Sequence, residues 1–527
     1  MMWIATVRER ASTTSPSILL LQTIINRIIS QYSFLIAAPH LVGSEPMKDV
    51  RLCHRVTASL LSVIALGAAW LLPSSAVAQA PCAPPIAAPN LDAPAATVIP
   101  ADVCNTASFP GNPIAFFDDY SWRTFIALMW PALGGQRGKP DPNQPLTAVD
   151  VPLVFETYKA DWETFQPGGA PPSAFDSNAS FWTSNPSQSP CPQAQPGDFL
   201  LAPISKFGNV GLAGTGDLVS VLIAQNGTFV RYIAAYNEVE FNQILAKQLY
   251  LASNLPQNQN PAGPAIVFQN GALDVKSSWI DMKSVAHPER YHTRKAWLVD
   301  PISGQCGATP ATVGLVGLHI VQKTSSRPQW IWSTFEQIDN VPPPGYVPPH
   351  PPTPPSQIFT FNDGTATPMP GGIPPSFVWA TAKNNPTPPQ PVNLQRLTPI
   401  NPSTVATNAI WEGALKARNS VWQFYQLVMT QWPVKPNSPA DPGTPGFTFP
   451  GTGATSAFAN TTLETWDQTN IRTGCMNCHN IVQNNDFLWS LQMNAFTPAQ
   501  VSFGLRPASS AVGELRSLLN EQLKQAR

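Results

Sequence analysis

The strongest chemical pattern in the 527-residue sequence is the pentapeptide Cys475-Met476-Asn477-Cys478-His479. Thiols three residues apart lie on one side of a helical turn, so both can form thioether bonds with the two vinyl groups of one haem. The imidazole that follows them then reaches the iron. The pattern therefore predicts one covalently bound haem c per chain, with His479 as the proximal iron ligand. Its second ring nitrogen should donate to a carbonyl or carboxylate oxygen.

Other interpretations of the two thiols need features that the sequence lacks. A zinc knuckle needs two further ligands nearby, and no Cys or His follows His479. A thioredoxin-like redox pair sits in a βαβ pattern, which the flanking residues do not show. A structural disulfide would not require the adjacent histidine. We therefore predict that Cys475 and Cys478 are the haem attachment residues.

The sixth ligand of the iron is open at the level of sequence. A small cytochrome c carries its motif near its N-terminal end and its axial Met many tens of residues later. Here only 48 residues follow His479 (480–527), and Met493 is the only Met among them. Met493 is thus a candidate sixth ligand, but a core side chain is the competing interpretation, because Met adapts well to packing. An open site is the third option.

His319, far upstream of the motif, is a candidate distal residue. Strict alternation along its predicted strand places it on an apolar face. The residues expected on that face are Val313, Leu315, Gly317 and Val321. A single His on such a face is usually a hydrogen-bonded core residue, and this interpretation competes with the distal one. In the distal interpretation, Arg290, Arg294 or Glu336 is a candidate polar neighbour of His319.

Hydrophobic periodicity predicts the elements that position these groups. A helix should follow the Asp118-Asp119 cap and end at Pro131, and further helical patterns span 238–251 and 404–432, the latter broken near Asn419. Asn226-Gly227 between two β-rich runs predicts a hairpin over 218–236. Further strands are expected at 265–268, 273–280, 295–299, 312–322 and 329–337. The run of strands predicts an α+β fold with a large, mainly antiparallel β domain.

Composition divides the chain into parts. Its 59 prolines in 527 residues, about 11%, are roughly twice the usual share, which predicts long Pro-rich loops. We expect an extension from a misassigned start at 1–46, a signal peptide at 47–78, a Pro/Ala-rich arm at 79–110, a large domain at 111–435, a Pro/Gly-rich linker at 436–460 and a small helical haem c module at 461–527.

The stretch that begins at Met47 has the three parts of an export signal. Basic residues precede a 15-residue uncharged run at 58–72, and Ala76-Val77-Ala78 matches a cleavage site. The run is shorter than the ~20 residues that span a bilayer. We therefore expect cleavage before Gln79, a periplasmic or secreted protein, and no stable membrane anchor after cleavage.

Export changes the interpretation of the remaining cysteines, because an oxidising compartment preserves disulfides. Four cysteines outside the motif remain after cleavage, and they allow three pairings. Pairing Cys82 with Cys104 and Cys191 with Cys306 is favoured, since the first bond would tie down the N-terminal arm and the second would join two loops. The sequence leaves the other pairings open.

The charge balance bears on partners. Thirty Lys and Arg against 31 Asp and Glu leave a net charge of −1. Nucleic-acid binding proteins and polybasic membrane-surface proteins carry a clear positive excess. Both partner classes are therefore disfavoured.

Several stretches resemble the exported bacterial proteins grouped as the cytochrome c family, in which a long Trp- and Pro-rich domain precedes one C-terminal haem motif. The matching stretches are 121–128, 314–321, 327–330, 339–340, 459–462 and 475–480. The resemblance spans most of the chain after the signal. It implies covalent haem c and a redox role, and it implies no particular reaction.

A single exported haem is compatible with three functions. An electron-transfer protein keeps six-coordinate iron and exchanges electrons with periplasmic redox partner proteins. A peroxidase or oxygenase keeps an open sixth site beside an acid or base. A haem-based sensing or small-molecule-binding module is the third. Electron transfer is the minimal activity and the primary prediction; whether the protein is also an enzyme stays open.

Overall fold

The computed structural model describes residues 89–103, 113–179, 189, 191–201, 222–256, 266–300, 306–346, 359–364, 391–433, 460–465, 468, 475 and 479–496. The predicted export signal, the Cys82–Cys104 pairing, Cys478 and the linker up to residue 459 lie outside these residues. Within them, no helix is both long enough and apolar enough to cross a membrane.

Among the described residues, eight strands form one sheet. They are β1 Lys159–Ala160, β2 Leu200–Leu201, β3 Arg231–Tyr236, β4 Leu273–Asp281, β5 Thr293–Leu298, β6 Ala311–Gln322, β7 Ile331–Gln337 and β8 Tyr425–Gln431. The order is β1-β3-β4-β6-β5-β2, with β7 pairing both β6 and β8. All pairs are antiparallel except β2 with β5.

Helices accompany this sheet. They are α1 Pro113–Leu128, α2 Asp161–Thr164, α3 Glu238–Ala246, α4 Pro402–Lys416 and α5 Trp489–Asn494. A mostly antiparallel sheet with helices is the predicted α+β class. α1 begins five residues before the predicted Asp118 cap, and its apolar stripe contains Trp122 and Phe125 as the spacing indicates.

The two faces of the sheet carry different parts of the chain, because consecutive strand residues point to opposite sides. The helix face is defined by Ile233, Val275, Ser277, Leu318 and Phe335. The C-terminal face is defined by Tyr232, Ser278, Gly317, His319 and Trp332. On the helix face Trp122 stacks on Trp411 at 5.8 Å and meets Phe335 edge-on at 5.1 Å. α1 and α4 are therefore packed together over this face.

A β-bulge interrupts the pairing of β4 with β6. Ser278 pairs with Gly317, whereas the next residue, Trp279, pairs with Leu315. Val316 is the extra residue between them. One inserted residue reverses the alternation of side chains along the bulged strand.

The bulge corrects the predicted environment of His319. Gly317 and Val321 share its face, as expected. Val313 and Leu315 lie before the bulge and point to the helix face, so their predicted place beside His319 is wrong. Strict alternation failed because it assumes an uninterrupted ladder.

Two predicted elements differ from the structure. The helical pattern over 404–432 is wrong in its second half, where β8 pairs along β7. Asn419, at φ 53°, lies between α4 and β8. The strand expected at 265–268 is irregular where described: the Ile266 amide donates to the Asn484 carbonyl at 2.9 Å and the Phe268 amide to Asp486 Oδ2 at 2.7 Å. Tertiary partners override local propensity in both places.

Two local predictions are confirmed. The hairpin closes across the Asn226-Gly227 turn, where the Val230 amide donates to the Leu222 carbonyl at 2.9 Å. Cys191 and Cys306 form a disulfide with a Cα separation of 5.1 Å. This bond joins the loop before β2 to the loop before β6.

Candidate haem site

The chain returns to the C-terminal face of the sheet just before the Cys-x-x-Cys-His motif. Ser278 Oγ and Thr462 Oγ1 are 2.8 Å apart, and the Tyr232 hydroxyl donates to the Thr462 carbonyl at 2.8 Å. Asn460 Nδ2 donates to Thr334 Oγ1 at 2.9 Å. These bonds attach residues 460–465, which we call the anchor segment, to three strands of the sheet.

Gly317 allows the anchor segment to approach the sheet closely. A Cβ atom added there would lie 2.2 Å from Thr462 Oγ1 and 2.7 Å from Ser278 Oγ. Real Cβ atoms do not tolerate such distances. Only glycine therefore fits at this register position while the anchor segment stays in place.

A buried carboxylate adds to this attachment. Glu336 is 1% exposed and accepts hydrogen bonds from the Thr461 amide at 2.5 Å and from Thr461 Oγ1 at 2.8 Å. The guanidinium of Arg396 also donates to Glu336. The ion pair compensates the charge of a carboxylate that would otherwise be costly to bury.

His479 is oriented by its surroundings. Its Nδ1 atom lies 2.6 Å from the carbonyl oxygen of Phe487, and its ring centroid is 4.3 Å from that of Trp332. A carbonyl can only accept, so Nδ1 carries a proton, and in the neutral imidazole the lone pair then lies on Nε2. This is the contact that the sequence predicts for a proximal iron ligand.

Cys475 lies four residues before His479, and both residues are helical and half-buried. The Cys475 side chain also packs against the main hydrophobic cluster of the protein. The described part of the motif thus supplies one thiol and one oriented imidazole, which are residue types that the haem c hypothesis requires.

The carbonyl that orients His479 belongs to a constrained turn. Asp486 and Phe487 have φ values of 53° and 68°, in the left-handed region that non-glycine residues rarely adopt. The Phe487 amide donates back to the Val482 carbonyl at 3.2 Å. The turn therefore depends on contacts outside itself to keep this conformation.

A buried ion pair supplies those contacts. Lys323 Nζ lies 2.7 and 2.6 Å from the two carboxylate oxygens of Asp486 and donates to the Pro328 carbonyl at 2.7 Å. Burial raises the pKa of Asp486 and, although Lys323 opposes it, the net pKa stays raised. Burial likewise lowers the pKa of Lys323. Burial thus disfavours the charged form of each residue, and the opposite charge of its partner favours it.

Met493 lies in α5 and is 4% exposed. It is buried, as both the ligand and the core interpretations require. The sequence-based alternatives for this residue therefore stay open.

His319 has a polar neighbour that the sequence did not identify. Its Nε2 atom lies 3.3 Å from Glu464 Oε2, in the anchor segment. Burial raises the pKa of Glu464, but His319, Lys276 and the Asn460 amide outweigh it, so the net pKa is lowered. His319 therefore sits beside an ionised carboxylate.

The three charged residues expected beside His319 are paired elsewhere. Arg290 binds Asp339 at 2.6 Å, Arg294 binds Glu156, and Glu336 binds Arg396. Arg294 pairs opposite Val313 and so points to the helix face, where its expected place beside His319 is wrong. Glu336, opposite Gly317, does share the face of His319, but its described hydrogen bonds join it to Arg396 and Thr461. Glu464, Asp486 and Lys323 were missed since no local pattern distinguishes them from surface charges.

Among the described residues, no group of three or more His, Cys, Asp or Glu side chains is arranged to hold a metal ion. A haem iron takes its equatorial ligands from the porphyrin, so one protein imidazole is sufficient. The chain matches no protein family model, no curated protein and no solved structure.

Proposed function

We propose that the protein is an exported monohaem c-type redox protein whose minimal activity is electron transfer. The observation that carries the proposal is the hydrogen bond from His479 Nδ1 to the Phe487 carbonyl, with His479 four residues after Cys475 in the sequence. An imidazole held in this tautomer presents Nε2 to a metal. The periplasm is the proposed location, and its redox proteins are the proposed partners.

The residues around His479 would influence the electronic properties of a bound haem c. A bound haem c supplies one-electron exchange at its iron. The Phe487 carbonyl makes the His479 imidazole a stronger donor, and Trp332 at 4.3 Å restricts rotation of the ring. Cys475, Cys478 and His479 would hold the group, while Lys323 and Asp486 keep the Phe487 carbonyl in position.

The state of His319 favours electron transfer with Met493 as sixth ligand, or an open site, over ligation by two imidazoles. His319 Nε2 faces the carboxylate of Glu464 in the anchor segment. This carboxylate neighbour gives His319 a structural role that competes with ligation of the iron. Met493 and an open sixth position are therefore the two alternatives that we carry forward.

Covalent attachment is the direct test. The full chain, produced with the cellular haem-attachment system, should stain for haem on a denaturing gel. Cys475→Ser with Cys478→Ser should abolish the stain. The matched control replaces Cys191 and Cys306, which form the disulfide, and should keep it. A double motif variant that still carries covalent haem would refute the proposal.

Spectroscopy of the ferric protein distinguishes the functional alternatives. Met ligation gives a weak long-wavelength charge-transfer band, which Met493→Ala should remove while the haem stays attached. High-spin iron that reacts with peroxide would instead favour the peroxidase or oxygenase function. A low-spin spectrum without the band that changes in His319→Ala would identify His319 as the ligand.

Export has its own test. N-terminal sequencing of the protein recovered from the periplasm or the medium should begin at Gln79. Recovery of an exported chain that retains residues before Gln79 would refute the cleavage site.

A further inference from the structure

The outward side of α4 has an unusual composition for an exposed helix. Val405 and Ile410 are 51% and 36% exposed, and Ala406 and Ala409 between them are also exposed. A surface helix usually presents charged and polar residues on the side opposite the core. We call these four residues the outer face of α4, and their apolar composition indicates a surface that another element covers.

The outer face is separate from the side of α4 that packs in the core. Its four residues form two pairs spaced four apart, so they share one side of the helix. Trp411 and Leu415 are 2% and 0% exposed and lie on the opposite side, where Trp411 stacks on Trp122 at 5.8 Å. Covering the outer face therefore requires no change in the core contacts of α4.

The side chains of the outer face favour a partner with larger apolar residues. Ala406 and Ala409 lie at its centre and project little, so a facing helix can approach closely and fill the space with long side chains. A second copy of α4 would place alanine against alanine and bury little apolar area. The composition therefore favours a leucine-rich partner over self-association.

A carboxylate borders the outer face. Glu412 is half-buried, and burial raises the pKa of its carboxyl to about 7. Within the described part of the chain, no hydrogen bond or ion pair of Glu412 opposes this effect. A basic residue on the covering element would favour the charged form.

A segment with these properties occurs further along the sequence. Val512, Leu515, Leu519 and Leu523 recur at helical spacing, which predicts an amphipathic helix over 512–523. A helix of this length is marginal in water unless its apolar stripe packs against the protein. The segment therefore needs an apolar surface of the kind that α4 presents.

The chain that leads to this segment is long enough to reach α4. The Phe496 amide donates to the Tyr250 carbonyl at 2.9 Å and the Phe496 carbonyl accepts from the Ala252 amide at 2.8 Å, which fixes where the connection begins. Residues 497–511, which like the segment lie outside the described residues, can span about 50 Å when extended. A domain of about 450 residues has a radius of gyration of about 22 Å. A tethered segment also has a high effective concentration, which favours it over a second chain.

We propose that residues 512–523 dock as a helix on the outer face of α4, with their leucine stripe over Ala406 and Ala409. Arg516, which borders the stripe, supplies the cation for Glu412. The docked helix uses none of the residues proposed to hold haem.

Trypsin cleavage after Arg516 in the full chain measures docking, because a docked helix resists cleavage until it opens. Mass spectrometry follows the release of residues 517–527. The cleavage rate should be lower by about tenfold or more than that of a synthetic peptide of residues 508–527, which has no surface to dock on. Equal rates would overturn the proposal.

A variant of α4 tests the surface. Val405→Glu places a charge on the outer face and should raise the cleavage rate at Arg516 about tenfold or more. Glu is a better helix former than Val, so α4 itself should stay folded. Val149→Glu, at a valine that is 78% exposed in a loop, is the matched control and should leave the rate unchanged. An unchanged rate in Val405→Glu would overturn the assignment of this surface.

A variant of the segment tests the occupant. Leu523→Glu, on the apolar stripe, should raise the cleavage rate as Val405→Glu does. The control is Gln525→Glu, on the polar side of the same predicted helix, which should not change the rate. If Leu523→Glu had no effect, the leucine stripe would not be the docking surface and the proposal would fail.

Sedimentation over a range of protein concentrations tests the competing occupant, a second copy of this chain. The protein should remain monomeric by way of the outer face of α4. A dimer that dissociates in Val405→Glu would assign the outer face to self-association and overturn the proposal. The haem stain of each variant tests the proposed function separately.

Discussion

The two faces of the sheet are covered in different ways. The helix face is closed by large apolar side chains of α1 and α4, by compensated ion pairs and by the Cys191–Cys306 disulfide. Around Gly317 the C-terminal face is covered by short polar side chains of the anchor segment, which approach the sheet because Gly317 has no Cβ. Leu463 of the same segment packs beside them in an apolar cluster with Tyr232. Apolar packing tolerates replacement by side chains of similar volume, whereas any side-chain carbon added at Gly317 would overlap Thr462.

This difference has a functional consequence. The helix face is stabilised jointly by apolar packing, ion pairs and a disulfide. On the C-terminal face the orientation of His479 depends on a turn in the left-handed region, and that turn depends on a buried ion pair. Substitutions on the helix face should therefore change mainly the stability of the fold. Substitutions on the C-terminal face should also change the orientation of His479.

The largest effect is expected at the Lys323–Asp486 pair. Lys323→Met leaves the Asp486 carboxylate buried without its counterion, which should lower the free energy of unfolding by about 3–5 kcal/mol in urea titrations. If the proposed haem c is bound, its reduction potential should also shift, because the Phe487 carbonyl adjoins Asp486 in the chain. Lys139→Met removes an exposed pair with Glu238 and should cost about 0–0.5 kcal/mol. Equal losses would show that the buried pair has no special role.

The stability of the protein should depend on pH because of Asp118, a buried residue of α1 on the helix face. Burial raises the pKa of Asp118 to about 7, although Thr404 and Thr430 donate to it. Between the ordinary value of 3.8 and about 7 the native state binds the additional proton, so stability should fall as pH rises through this window. The total change should reach about 4 kcal/mol.

Two variants check the origin of this slope in thermal unfolding scans across that pH range. Asp118→Asn should flatten it in part, since burial also raises the pKa of Glu412 to about 7. Asp150→Asn, at an exposed position, should keep the slope. A slope that is unchanged in Asp118→Asn would contradict the assignment.

Gly317→Ala tests the close approach on the C-terminal face. The added methyl group would overlap Thr462 Oγ1, so the anchor segment must shift, at a cost of about 1–3 kcal/mol. Limited proteolysis should then cut within 460–465. The control is Gly413→Ala in α4, where an added Cβ meets nothing within 4 Å and the change should stabilise the helix by about 0.4–1 kcal/mol. Destabilisation by both changes would point to a general sensitivity to alanine.

The smallest effect is expected from Thr462→Val, which keeps the shape but removes the hydroxyl bonded to Ser278 and Asn460. The loss should be about 1 kcal/mol in the same urea titrations. Thr462→Ser keeps the hydroxyl and should be nearly neutral. A larger loss in the serine variant would mean that the methyl group, and not the hydroxyl, secures the segment.

Sequence reasoning succeeded where the relevant physics is local. The helical spacing of Trp122 and Phe125 and the Asn226-Gly227 turn each depend on a few adjacent residues. It failed at β8, where pairing with β7 overrides helical spacing, and at Val313 and Leu315, where the bulge reverses alternation. Both failures arise from a partner strand that lies outside the sequence window.

The candidate haem site likewise has a part that the sequence predicts and a part that only the fold determines. The spacing of Cys475, Cys478 and His479, and hence the haem c hypothesis, follows from the geometry of one helical turn and can be read without a fold. The partners that control this site are distant: Lys323 lies 163 residues before Asp486, and Glu464 meets His319 only because the anchor segment crosses the sheet. Such pairs depend on the path of the whole chain. A charged residue carries the same local signature whether it ends at the surface or in a buried pair, so folding alone assigns its partner.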